Sequence, residues 1–159
     1  MITTADQLLQ DRLDVADAIY RYASSIDTWD TEGLRAVLAD DLWAQYGNSE
    51  PMTGGDAVAE WIADATKDLV WQHHLLSVYR TEIDGDTAKA LTYHTSYQLP
   101  KDDPTTVFVL VGRYHQQLRR GTHGWQLTRL VFEILWGERR QDTTGYLAEV
   151  GGSGPHPIP

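Results

Sequence analysis

The sequence contains no cysteine. Disulfides, thiolate nucleophiles and cysteine-bound zinc or iron–sulfur centres are thereby excluded. Phenylalanine is scarce, with two residues beside six tryptophans and eight tyrosines. Basic residues are also few: 13 Lys and Arg stand against 23 Asp and Glu, for a net charge of −10. Such a surface repels nucleic acid and anionic membranes, so neither is expected as a partner. No apolar run is long enough to span a bilayer, and Met1 to Asp6 show no basic segment leading into an apolar one. A cytoplasmic protein without a signal peptide is the expectation.

What is present suits one folded domain: 159 residues, 42% hydrophobic and 23% charged. We expect a single domain over residues 1–140. A tail over 141–159 loses periodicity, and Gly151 to Pro155 is expected to be mobile or to fold over a pocket mouth. The Trp and Tyr excess suits pocket walls that need an apolar body with a polar tip. It suits subunit interfaces equally well.

Thr4 to Gln7 reads as a capping box. Leu9, Leu13, Ala16, Tyr20 and Ala23 then recur at helical spacing, which predicts an amphipathic helix from Ala5 to about Ser25. Asp27 follows just past its C-terminus, where the negative end of the helix dipole disfavours a carboxylate. Asp30 caps a short second helix carrying Leu34, Val37 and Leu38. Residues 41–46 read as a strand, 47–55 as a turn-rich link and 56–65 as a third helix. The period then changes to two. Strands are predicted over 73–83, 87–99, 105–120 and 125–136, with Asp84-Gly85-Asp86 as a hairpin turn. Helices first and a bent antiparallel meander second make an α+β fold, with three helices on one face of a curved sheet.

His73 and His74 are adjacent in the strand that opens this meander. Neighbouring strand side chains point to opposite faces, so the two cannot share a metal ion and only one looks inward. That imidazole is either a hydrogen-bonded core or interface residue or an acid–base group titrating near neutrality. No set of histidines here suggests three-ligand geometry, so no metal is expected.

Several segments, in this order, resemble the SnoaL-like branch of the nuclear-transport-factor-2-like superfamily. They are Tyr20 to Asp30, His73 to Ser77, Gly85 to Ala88, Gly112-Arg113-Tyr114 and Gly124-Trp125. The resemblance covers roughly residues 5 to 136. It implies a cone-shaped α+β barrel with a pocket between helices and sheet. In catalytic members, an Asp after the first helix pairs with a His on the strand following the third helix. The resemblance assigns those positions to Asp27 and His74. It places Tyr22 and Tyr46 where members carry active-site tyrosines. His94 falls on the face of a second His, though not at its position. The chain departs from individual members at Ile26, where one has a second Tyr, and at Gly112, near a strand Asn. It departs again at Arg129, offset by one from a last-strand Arg, which puts it on the other face unless a bulge intervenes.

A His–carboxylate pair can remove a proton beside a carbonyl and return it later. Tyr22 and Tyr46 can polarise a substrate oxygen, or serve only as helix core and pocket wall. His94 lies in register with Thr92 and Ser96 on a polar inner face. Trp43, Trp61 and Tyr114 are candidate substrate walls, with Arg129 and Glu133 as candidate substrate contacts. Glu133 and His115 read equally as interface residues; His73 is expected to face away, and His123 and His156 to be solvated. The leading expectation is a cofactor-independent lyase or isomerase, dehydrating or cyclising a small hydrophobic, cyclic or polyketide-like substrate. The alternatives are an epoxide-opening cyclase or hydrolase in which Asp27 works with a water, and a non-catalytic binding module. An open sheet face calls for cover, so a homo-oligomer is expected; the resemblance favours a trimer over a dimer.

Overall fold

The computed structural model describes residues 4–145. The tail segment 146–159, with His156, lies outside the described residues. The first helix, α1 (Thr4–Asp27), buries Val15, Ile19, Tyr22 and Ile26. These recur at the four- and three-residue steps that align side chains on one helix face. This corrects the expected stripe, since Leu9, Leu13 and Tyr20 stay exposed. The helix carries apolar residues on more than one side, and the β-branched and aromatic side meets the sheet. Thr4 is already helical rather than the cap the expected capping box needs, and Gln7 Nε2 donates to Asp11 Oδ1 at 2.9 Å, four residues ahead.

α1 ends in a Schellman turn. Asp30 N–H donates to Ser25 O (2.9 Å) and Trp29 N–H to Ile26 O (3.3 Å). Trp29 takes the left-handed backbone conformation that this turn demands, at φ 53°. Asp27 is therefore the last helical residue. Asp30 then begins the short α2 (Thr31–Ala36), its carboxylate accepting from Gly33 N–H at 2.9 Å.

Leu38 opens a strand instead of extending α2: β1 runs Leu38–Tyr46, and a two-residue β2 (Met52–Thr53) pairs with it. The helix α3 (Gly55–Thr66) buries Val58 and Ile62. The meander follows as β3 (Leu69–Asp84), β4 (Thr87–Pro100), β5 (Thr106–Gly121) and β6 (Gly124–Gln141). β3 starts four residues before the expected His73, because Leu69-Val70-Trp71 continues the pairing with β4. β6 runs past Trp136 to Gln141, paired with Thr106, so the sheet reaches into the expected tail.

The six strands take the order β2-β1-β6-β5-β4-β3. β1 lies parallel to β6 and the other pairs are antiparallel. The sheet does not close on itself, so the expected barrel is an open, bent sheet, with α1 packed against β3 and β6 and α3 against β1. Register shifts that skip Tyr79 in β3, Thr128 in β6, and Leu135 in β6 opposite Val111-Gly112 of β5 mark bulges, which bend strands. Gly112 is required there: a Cβ would sit 2.4 Å from Glu133 O and 2.5 Å from the Phe132 ring. Among the described residues no helix is long and apolar enough to cross a membrane.

Candidate active site

The bent sheet, α1 and α3 enclose a cavity of about 280 Å³. The end of α1 and the start of β3 build its chemical centre. Gln72, buried, donates from Nε2 to Ile26 O at 2.6 Å and so caps the helix C-terminus. Two residues on, Asp27 engages His74 twice. Oδ2 accepts the backbone N–H of His74 (2.8 Å), and Oδ1 lies 2.6 Å from its ring Nδ1. A carboxylate accepts only, so Nδ1 carries the proton and donates. Nε2 is left with a free lone pair, and the ring lies in the cavity wall. His74 is 6% and Asp27 18% exposed at the side chain, so water does little to weaken the pair. These donors also answer the cost of placing a carboxylate at a helix C-terminus.

Across the cavity, Tyr22 and Tyr46 share a hydrogen bond of 2.8 Å between their hydroxyls. The Tyr114 hydroxyl also interacts with that of Tyr22, so the three phenols hold one proton more than the two contacts among them use. Burial pushes both phenols, and that of Tyr114, up from the ordinary value, so all three stay protonated near neutrality. Tyr46 stacks on Trp61, centroids 4.6 Å apart. His94 lies 5.1 Å from His74 between ring centroids and packs edge-on against Tyr114 and Phe132. Burial, then the neighbouring His74, pushes the pKa of His94 down to about 3, so it is neutral at physiological pH.

The structure thus brings Asp27, His74, Tyr22, Tyr46, His94, Trp61 and Tyr114 to one cavity, with Asp27 behind His74 rather than in the wall. It separates Trp43, Arg129 and Glu133 from them. On β6, Phe132 and Ile134 face the cavity. No register shift falls between Arg129 and Ile134, so simple alternation turns Arg129 and Glu133 outward. There the Arg129 guanidinium lies 3.9 Å over the Trp43 ring. Glu133 binds Arg113 (2.9 and 3.0 Å) and His115 (3.0 Å). His73 and His123 are exposed. Among the described residues no three His, Asp or Glu side chains could jointly hold a metal ion.

Gln72, Gln98 and Phe132 line the cavity and were not singled out in the sequence. Two-residue steps from His74 and from His94 reach Gln72 and, through Ser96, Gln98. The signal was present in the same alternation that placed the histidines.

The SnoaL-like domain profile matches residues 7–131. An uncharacterised protein of Mycobacterium tuberculosis is 23% identical over 132 residues, 82% of this chain and 88% of its own. Among solved structures, the Kfla4162 protein of Kribbella flavida is 21% identical with a TM-score of 0.76, covering 90% of this chain and 99% of its own. A candidate scytalone dehydratase of Novosphingobium aromaticivorans is 16% identical with a TM-score of 0.79, covering 89% and 98%. A type 2 hexachlorocyclohexane dehydrochlorinase is 12% identical with a TM-score of 0.76, covering 99% and 98%. With a profile match over most of its length and the same fold as these structures, the chain belongs to the SnoaL-like domain family.

Proposed function

We propose that this protein is a cofactor-free lyase or isomerase that moves a proton with His74. The observation that carries the reading is the double grip of Asp27 on the N–H and the Nδ1–H of His74, which aims a basic Nε2 at a cavity without charged walls. In the reaction, Nε2 takes a proton from a carbon beside a substrate carbonyl. The electron pair moves onto the carbonyl oxygen, where the spare phenolic proton of the Tyr22, Tyr46 and Tyr114 cluster stabilises the charge. The enolate then re-forms its carbonyl and expels a β-hydroxyl. The imidazolium returns its proton to that group, and water leaves. His94, being neutral, serves this step as a hydrogen-bonding partner rather than a cationic acid. Proton transfer of this kind needs only a base and donors, and the cavity supplies both.

The dehydratase and dehydrochlorinase named above carry out eliminations by name, which supports the same class here. The epoxide-opening reading is weaker, because both Asp27 oxygens face His74. We place the substrate among small hydrophobic or polycyclic compounds. We further propose that the chain works as a homo-oligomer, trimer or dimer, covering exposed outer residues such as Tyr79, Leu135 and Trp136. Sedimentation as a stable monomer would remove that part.

The test is to incubate cyclic β-hydroxy ketones with the protein in deuterated water, following water loss and label uptake by mass spectrometry. Turnover by the wild type that falls on the order of 10²- to 10⁴-fold in His74→Ala and Asp27→Asn supports the mechanism. Full turnover in both variants refutes it.

A further inference from the structure

Three buried polar atoms on one wall of the cavity have no partner: Gln72 Oε1, Ser96 Oγ and His94 Nδ1. All three residues line it, with relative exposures of 5%, 1% and 3%. A buried polar atom without a partner costs on the order of 1–3 kcal/mol, so a wall holding three is built to be completed by something else. Leu110, in register with Ser96, and Phe132, edge-on to His94, flank this strip on the sheet, and Ile62 with the stacked Tyr46 and Trp61 supplies further apolar and aromatic lining.

The two strands set the geometry. Ser96 pairs in register with His74, and Gln72 with Gln98, one step along the same inner face. Side chains directly opposite stand about 5 Å apart, and the next pair on that face is roughly 7 Å away. The wall is a polar strip beside the His74 ring. Gln72 is also fixed in orientation. Its Nε2 is spent on Ile26 O, so Oε1, buried and unpaired in a cavity-lining side chain, is left as a pure acceptor. An acceptor of this kind is completed only by an O–H or N–H. Ser96 can donate or accept, so it does not restrict the choice.

We propose that Gln72, with Ser96, is the specificity-determining pair of this cavity, and that it selects ring compounds carrying a free hydroxyl or N–H about one ring width from the atom that reaches His74. The ligand lays its apolar ring face against Tyr46 and Trp61 and its donor-bearing edge against the β3–β4 strip. An otherwise similar compound with that hydroxyl methylated leaves Gln72 Oε1 buried and unpaired. Sites that bind a hydroxyl reject the analogue lacking it far more strongly than apolar pockets sort by size. This assignment shares the cavity of the proposed reaction, but it is read from binding and needs no turnover.

The experiment measures binding of 2,6-dihydroxynaphthalene and 2,6-dimethoxynaphthalene by calorimetry or ligand-observed NMR. The wild type is expected to prefer the diol at least tenfold. Gln72→Met, which keeps the volume, is expected to bring that preference to within threefold, and Ser96→Ala to reduce it in part. Ser96→Ala removes one oxygen from a strand interior and carries the test if Gln72→Met does not fold. His74→Ala is expected to keep the diol preference. A wild type that binds both compounds equally overturns the proposal, as does a preference unchanged in both the Gln72 and Ser96 variants. In those cases the strip holds ordered water that ligands do not displace. Loss of the preference with elimination chemistry intact would break this inference alone; a retained preference with no role for His74 in turnover would break only the proposed reaction.

Discussion

The same kind of pair occurs on both faces of the sheet. Inside, His74 meets Asp27 at 2.6 Å, with side chains 6% and 18% exposed; outside, His115 meets Glu133 at 3.0 Å, with side chains 53% and 40% exposed. The outer carboxylate is shared, and Arg113 first, then His115, holds it below the usual carboxylate range. The inner carboxylate serves one residue through two donors, and among the described residues its one ion-pair partner is the imidazole of His74. Composition alone would rate the two pairs alike. Burial and exclusivity separate them: water and salt weaken the outer pair, whereas the inner one sits behind a cavity whose walls bear no charge.

Mutation should widen that contrast. His74→Ala is expected to lower kcat on the order of 10²- to 10⁴-fold, while His115→Ala stays within about twofold, both read as initial rates on one substrate. Equal losses would mean that the outer pair belongs to the chemistry. Asp27→Asn should split activity from folding. The amide can still accept the His74 N–H, but its NH₂ presents a donor to Nδ1 and forces the proton onto Nε2. The expected result is a kcat loss of similar order with stability changed by only about 1–2 kcal/mol in urea titration. Glu133→Gln on the outer face should change neither activity nor the melting temperature measurably.

His94 offers a pH test of the inner face. Its folded pKa of about 3 lies below the unfolded value near 6.5, so between these limits the unfolded chain binds more protons. Its contribution to stability is full above about pH 6.5 and declines as pH falls toward 3, by up to roughly 1.4 kcal/mol per pH unit. Denaturant titrations from pH 7 to 4 should be steeper in the wild type than in His94→Phe. The smallest effect concerns salt. Raising ionic strength should weaken the Arg113–Glu133–His115 cluster and leave His74-dependent turnover nearly unchanged.

Much of this arrangement was readable from local pattern. Asp27 is placed by the end of one helix, alternation lets only one of His73 and His74 face inward, and the family resemblance picks His74. Each signal spans a few residues, and the turn at Gly85, with φ 56°, fixed the first hairpin in the same local way. Three kinds of feature were not readable. The apolar stripe of α1 was misjudged because Leu9 and Leu13 are as hydrophobic as Val15 and Ile19, and only the sheet decides which side is covered. Val37 and Leu38 are ambiguous between helix and strand until β6 lies beside β1, a partner almost ninety residues on in the register Leu38↔Leu127. Trp43, Arg129 and Glu133 looked like site residues by type. The face of Arg129 and Glu133 depends on the absence of a bulge between residues 129 and 134, and that of Trp43 on the register shift between Leu38 and Trp43, neither of which the sequence announces.

The Schellman turn at Trp29 carries a rule about length. Each residue of an α-helix advances the chain by about 100°. Adding or removing one residue within the last turn of α1 would swing residue 27 a quarter-turn or more around the axis and strand its side chain among Ala and Ile neighbours. Lining residues that bear no group used in the proposed reaction, such as Trp61 and Phe132, can be exchanged for other apolar shapes without touching that turn. The joint between the first two helices cannot be stretched or shortened, and so ligand choice is free to drift in this scaffold while the spacing from Tyr22 to Asp30 stays fixed.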